Sequence, residues 1–312
     1  MQRASSTRPA PTESPRAGTQ QGYVVVAVRC RRLALFLFPE PKAMDKKVVL
    51  VTGGSSGIGK SIGTYLTSKG YKVYGTTRNL DNHPDFNAFE LLSLDVKDVE
   101  QVDRAVSEIV SREGRLDVLI NNAGIGITGP IEETPHREIL KVFDTNFNGP
   151  VHMIKAVLPQ MRKQGGGHIV NITSIAGHMG LPFRGFYSAS KGALALLTEA
   201  LRMETKDFGV KISNLAPGDF ATNIASGRYH APVLDDSPYE EKYAQVIDSI
   251  NQDVDRGGDP LEVARAVYGI INQKRPKVNK AVGAFTQKFS LTLKRLLPDK
   301  VYEKLLTQHY KL

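Results

Sequence analysis

From residue 46 onward, short apolar runs alternate with longer amphipathic stretches. KKVVLVTG (46–53) is continuous Val and Leu, the pattern of a parallel strand covered on both faces. The next stretch reads as a helix over 57–69, stopped at Gly70, a residue type suited to the left-handed end of a helix. Further strands are predicted at 71–78, 89–96, 116–124, 167–174 and 210–218, with a short last strand at 278–284. Helices are predicted at 98–114, opened by the cap residue Asp98, and at 135–164, 185–207 and 260–273. Strand and helix in this alternation imply right-handed βαβ units and an α/β fold, a doubly wound parallel sheet. Residues 219–257 lack clean periodicity and follow the carboxyl end of the sixth strand. A connection of that length is expected to form a lid or binding loop.

Composition places this pattern in an ordinary globular chain of 312 residues, 41% hydrophobic and 23% charged. The net charge of +9 is uneven: residues 1–43 carry +5, residues 272–312 carry +8, and the body between them carries −4. An acidic body argues against a nucleic-acid groove. One cysteine, Cys30, rules out an intramolecular disulfide framework and fits a cytoplasmic location. The histidines show no ligand spacing, so no metal is expected. The apolar runs 24–28 and 33–38 are split by Arg29, Arg31 and Arg32, too short to span a bilayer. Residues 1–43 are read as a disordered or targeting-like extension, or as translation upstream of Met44. The expected domain is 44–285, followed by a basic tail, 286–312. That tail sets Leu293, Leu296, Leu297, Val301 and Leu305 among basic residues, so contact with a membrane surface stands beside packing on the domain.

TGGSSGIG (52–59) joins the first strand to its helix. Gly53 and Gly57 permit a tight turn and close approach to a diphosphate, and the helix start offers unpaired N–H groups and a positive dipole end. The spacing departs from G-x-G-x-x-G. Tyr187 and Lys191 lie four apart, on one face of a helix. Tyrosine titrates at about pH 10, and a neighbouring cation favours its ionised form.

TGGSSGIG, NNAG (121–124), Asn146 in DTNFNG, Ser174 in NITS, Tyr187-x-x-x-Lys191 and PGDFAT (217–222) occur in this order. Together they resemble the short-chain dehydrogenase/reductase family over about residues 45–285, with the branch holding 17β-hydroxysteroid and retinol dehydrogenases suggested by the C-terminal stretch. The resemblance implies one Rossmann domain and interconversion of a hydroxyl and a carbonyl with a nicotinamide cofactor. It implies that Tyr187 exchanges the proton, Lys191 tunes it and holds the ribose, Ser174 holds the substrate oxygen, and Asn146 anchors a relay water. It further implies cofactor contacts at Gly53, Ser55, Ser56, Gly57, Ile58, Gly59, Asp95, Val96, Asn122, Ala123, Gly124, Pro217, Gly218 and Thr222. Asp95 has a helix cap as its competing role, and Thr222 a turn hydroxyl. Arg78 follows Thr77, which stands where an acid would select NAD(H). A guanidinium suits a 2′-phosphate, so NADP(H) is expected over NAD(H).

Met179, Leu181, Phe183, Ile125 and Ile127, with Tyr229, His230, Tyr239 and Tyr243 from the lid, are candidates for a lipophilic pocket or for plain packing. A homodimer or homotetramer through the Tyr187 helix is expected, where Ala189, Gly192 and Ala193 would let a second helix approach. The rival readings are a 3-oxoacyl-thioester reductase and a non-catalytic NADP(H)-sensing regulator.

Overall fold

A computed structural model describes residues 46–220, 227–255 and 257–312, and a two-residue antiparallel strand pair, Tyr23–Val24 with Phe38–Pro39. The chain divides between residues 45 and 46. The second unit carries β1 (Val48–Val51), α1 (Gly57–Ser68), β2 (Lys72–Thr77), β3 (Glu90–Ser93), α2 (Val99–Glu113), β4 (Val118–Asn121), β5 (Ile127–Thr128), α3 (His136–Phe143) and α4 (Gly149–Lys163). There follow β6 (Gly167–Ile172), α5 (Gly185–Glu204), β7 (Val210–Pro217), β8 (Tyr229–His230), α6 (Glu240–Asp255), α7 (Pro260–Ile271), β9 (Asn279–Val282), α8 (Phe285–Leu296) and α9 (Asp299–His309).

Seven strands form one parallel sheet in the order β9-β7-β6-β4-β1-β2-β3. The apolar run of β1 is buried throughout because it is covered twice. Val48 and Leu50 join a cluster with Val102, Val106 and Ile109 of α2 and Met153 and Val157 of α4. Val49 and Val51 point the other way, into Ile58, Ile62 and Leu66 of α1 and Val263 and Val267 of α7. The chain builds β1, β2 and β3 outward, then returns to lay β4 on the far side of β1. That reversal opens a crevice at the carboxyl ends of β1 and β4, where ligands bind in such sheets.

Three stretches differ from expectation. The stretch 135–164 is broken at Asp144–Asn148 by a π-helical turn between α3 and α4. The lid region contains α6, whose Tyr243, Val246 and Ile250 are buried at helical spacing. The expected basic tail is folded as α8 and α9. Its Leu291, Leu293, Leu297 and Leu306 pack with buried Tyr302 against Ile175 and Met179, while Leu296, Val301 and Leu305 stay exposed. Asp98 caps α2 as expected, accepting from the Gln101 N–H at 3.0 Å, and Gly114 ends it with φ 71°. Among the described residues, no helix is long and apolar enough to cross a membrane.

Candidate active site

The turn after β1 is built so that only glycine fits. Gly53 and Gly57 have φ of +63° and +50°, a region that side chains resist. A Cβ on Gly59 would lie 2.1 Å from the Gly53 carbonyl oxygen. Thr52 and Asn122 tie this turn to the end of β4. The Thr52 hydroxyl accepts the N–H groups of Asn122 and Ala123, both at 3.0 Å. The Asn122 amide donates to the carbonyls of Thr52 at 2.9 Å and Gly53 at 3.2 Å. Ser56 precedes α1 in extended conformation and its hydroxyl does not cap the helix. The first-turn amides of α1 are therefore open to another acceptor, Ser55 is half-buried beside them, and Ile58 lines the cleft. This bare, positively polarised cradle fits a diphosphate.

Toward the far end of the crevice, Arg78 is exposed just past β2 and makes no ion pair among the described residues. Asp95 is not a cap: its carboxylate accepts from the Lys97 N–H at 3.0 Å and lies 3.4 Å from the Lys97 ammonium. The side chain of Val96 is buried against Gly149, and its carbonyl lies 3.0 Å from His152 Nδ1.

Ser174, Tyr187 and Lys191 face one open cleft, which Gly124, Pro217 and Gly218 also line. Ser174 follows β6 and its hydroxyl accepts from the Ala176 N–H at 3.1 Å, so the side chain is fixed by the short turn that it starts. Tyr187 and Lys191 sit one turn apart on α5. The Lys191 ammonium is buried and donates to the Ile172 carbonyl at 3.0 Å. Burial brings its pKa down from the ordinary lysine value to about 8.

Asn146 lies in the π-helical turn, a distortion common at functional sites. Its amide donates to the Ile125 carbonyl at 3.0 Å and to Ser190 Oγ at 3.1 Å, and its oxygen accepts the Ile125 N–H at 2.9 Å. Ser190 donates in turn to the Tyr187 carbonyl at 2.8 Å. A Cβ on Gly124 would meet Asn146 Oδ1 at 3.2 Å and Lys191 Nζ at 3.3 Å. The two side chains thus converge on the backbone of Gly124.

Thr222 lies outside the described residues. Of the apolar candidates, Ile125 and Ile127 line the cleft. Met179 and Leu181 pack under α8 and α9, with the Tyr302 hydroxyl 2.8 Å from the Met179 sulfur. Phe183 stands against the rings of Tyr239 and Tyr243. Of the small residues of α5, Gly192 is used within the chain, where a Cβ would lie 3.1 Å from the Gly177 carbonyl, while Ala189 is exposed. Sequence reasoning missed Thr52, Ser190, Phe220, Arg184 and Arg228. Ser190 could have been noticed between the paired Tyr and Lys, whereas no motif marks the arginines.

Comparison with known proteins agrees with this geometry. The family pattern described as short chain dehydrogenase matches residues 47–232. A 3-ketodihydrosphingosine reductase from Bacteroides thetaiotaomicron is 38% identical over 261 residues, 83% of this chain and 96% of that protein. An NADPH-dependent 3-dehydrocapnine reductase from Ornithobacterium rhinotracheale is 32% identical over 83% of this chain and 95% of its own. The crystal structure of a short-chain dehydrogenase from Streptomyces avermitilis superimposes with a TM-score of 0.72 at 34% identity, covering 84% of this chain and 96% of that one.

Proposed function

The chain belongs to the short-chain dehydrogenase family of oxidoreductases acting on hydroxyl and carbonyl groups, and from that premise we propose that it is an NADP(H)-dependent reductase of a lipophilic ketone. The observation that carries the reading is the convergence of Ser174, Tyr187 and Lys191 on one cleft beside a glycine cradle. Arg78, past a β2 that ends in Thr77 rather than an acid, favours a 2′-phosphate. The two curated relatives support reduction by their names, each describing a reductase of a 3-keto or 3-dehydro compound, one of them NADPH-dependent.

A nicotinamide cofactor, when bound, supplies or accepts the hydride. The residues of this chain hold and move the proton. Ser174 is fixed to donate to a carbonyl oxygen, a hydrogen bond that strengthens as charge develops there. Tyr187 delivers its hydroxyl proton to the same oxygen. The Lys191 ammonium, buried one helical turn on, stabilises the phenolate left behind. The free acceptor position on Asn146 Oδ1 suits a water that returns the proton toward Lys191. We place this enzyme in the cytoplasm as a homo-oligomer packed through α5, where Leu196 and Met203 are exposed.

The test is loss of NADPH absorbance with hydrophobic ketones, 3-oxoacyl thioesters and aldehydes, with NADH in parallel. Turnover is expected with ketones and NADPH, and Tyr187→Phe should lower kcat by at least about 10³-fold with NADPH affinity changed less than threefold. Arg78→Gln should raise KM for NADPH about tenfold and leave NADH unaffected. Preference for thioesters would replace the ketone reading, and tight NADPH binding without turnover would make the protein a sensor.

A further inference from the structure

Arg228 is the least explained charge near the reactive tyrosine. It is 9% exposed, lines the catalytic cleft, and its Nη1 has no hydrogen-bond partner among the described residues. A buried, unpaired guanidinium nitrogen is costly to maintain. The same cleft nevertheless holds a second guanidinium, whose charge reaches it. Arg184 lines the same cleft with its terminal carbon 5.5 Å from the Tyr187 ring centre. Burial and, after it, the Arg184 charge push the Arg228 pKa downward, opposed by Tyr187, Asp219 and Tyr243. The Asp219 carboxylate also accepts from Gln287 Nε2 at 2.7 Å. Among the described residues, neither arginine forms an ion pair.

The chain holds both side chains in place by constrained backbone. Phe183, immediately before Arg184, has φ 55°, a left-handed conformation rare for a bulky residue. Its carbonyl accepts the Gly129 N–H at 2.9 Å, and its ring lies against Tyr243. Arg228 precedes β8, which pairs with β5, and its stem lies over Gly126, where a Cβ would sit 3.0 Å from Arg228 Cγ. Residues 126 and 127 line the wall of the same cleft as Arg228.

We propose that Arg228 and Arg184 form an anion subsite that recognises a negatively charged group on the substrate, close to the carbonyl that Tyr187 protonates. The ligand class is a ketone bearing a sulfonate, phosphate or carboxylate. A planar guanidinium pair suits the several oxygens of such a group. The inference rests on the reductase reading for the carbonyl and not for the anion.

The test compares a 3-oxoalkane-1-sulfonate with its neutral methyl sulfone, which has nearly the same shape. Wild type should favour the sulfonate by at least about 30-fold in kcat/KM, the scale of one or two charge-assisted hydrogen bonds. Arg228→Met should bring the ratio near unity, chiefly through KM for the sulfonate, and Arg228→Lys should restore part of it. Gly126→Ala, which displaces the Arg228 stem while keeping its charge, should lower the ratio as well. Calorimetric binding of a plain alkane-1-sulfonate to the protein saturated with NADP⁺ reads the subsite without turnover. Arg228-dependent sulfonate binding with no ketone turnover would uphold the subsite and sink the reductase reading. Equal kcat/KM for the two ketones in wild type, or absence of sulfonate binding, would overturn the proposal. So would Arg228→Met weakening both ketones alike together with a tenfold loss of NADPH affinity, since the arginine would then serve the cofactor.

Discussion

Replacing Lys191 by methionine should abolish activity and make the cofactor-free protein more stable at neutral pH. Burial lowers the pKa of Lys191 from 10.5 to about 8. Below pH 8 the ammonium is charged in both states, and the folded state carries the whole cost of desolvating it. Between about 8 and 10.5 the unfolded chain binds more protons than the folded one, so the stability of the wild-type protein rises with pH over that window. A gap of about 2.5 in pKa corresponds to about 3.4 kcal/mol. Linkage leaves about 3.3 kcal/mol of this cost at pH 7 and about 0.8 kcal/mol at pH 10. Methionine keeps an unbranched stem and removes the charge, but it gives up the hydrogen bond to the Ile172 carbonyl, worth about 1 kcal/mol. The net expectation is a variant roughly 2 kcal/mol more stable at pH 7 and about equal to wild type at pH 10. Urea unfolding followed by far-ultraviolet circular dichroism at the two pH values measures this directly. A variant less stable than wild type at pH 7, or a difference that does not shrink as pH rises, would refute the argument. On this reading, buried Lys191 gives up stability to hold the cation that we propose tunes Tyr187.

Two further substitutions test how the site is held. Gly59→Ala would be expected to stabilise an exposed helix by about 1 kcal/mol. Here its Cβ meets the Gly53 carbonyl at 2.1 Å and the Asn122 amide at 2.6 Å, so overpacking of about 1–3 kcal/mol should dominate. The expected result is a lower urea midpoint together with at least a hundredfold loss of NADPH affinity by fluorescence titration. Asn146→Leu leaves the Ile125 N–H and carbonyl without their partner. It should destabilise the protein by about 3 kcal/mol and lower kcat more than it raises KM for the ketone.

The sheet was legible because its physics is local to each strand. Runs such as VVLV in β1 are apolar on both faces, and each face meets a different helix layer, so the sequence pattern and the packing coincide. The helix over 135–164 was read as continuous because a π-helical turn leaves the apolar spacing nearly intact. What breaks it is the demand of Asn146 for the backbone of Ile125, a contact 21 residues away. The lid concealed α6 because its apolar residues, Tyr243, Val246 and Ile250, are few among acids and amides. The C-terminal stretch was read as a tail because Pro298 separates two helices, each with a one-sided apolar face. Burial of Tyr302 against Met179 is what gives those faces a partner.

The candidate site divides the same way, and the division follows from how each half is made. The cofactor half depends on backbone approaching backbone, so it requires glycine at fixed positions and leaves a local signature in TGGSSGIG and NNAG. The proton-handling half uses Tyr187 and Lys191 at one helical turn, again a local spacing. The substrate half we propose draws its side chains from distant segments: Arg184 after a strained Phe183, and Arg228 across a two-residue strand pair. Neither arginine is marked by spacing, because Arg228 is brought in by β5 pairing with β8 about 100 residues later and Arg184 by the Phe183 carbonyl accepting the Gly129 N–H. A chain can therefore display its reaction class in short motifs while its substrate is written in tertiary contacts. This is why the arginine pair, and not the motif residues, is where substrate choice is to be sought.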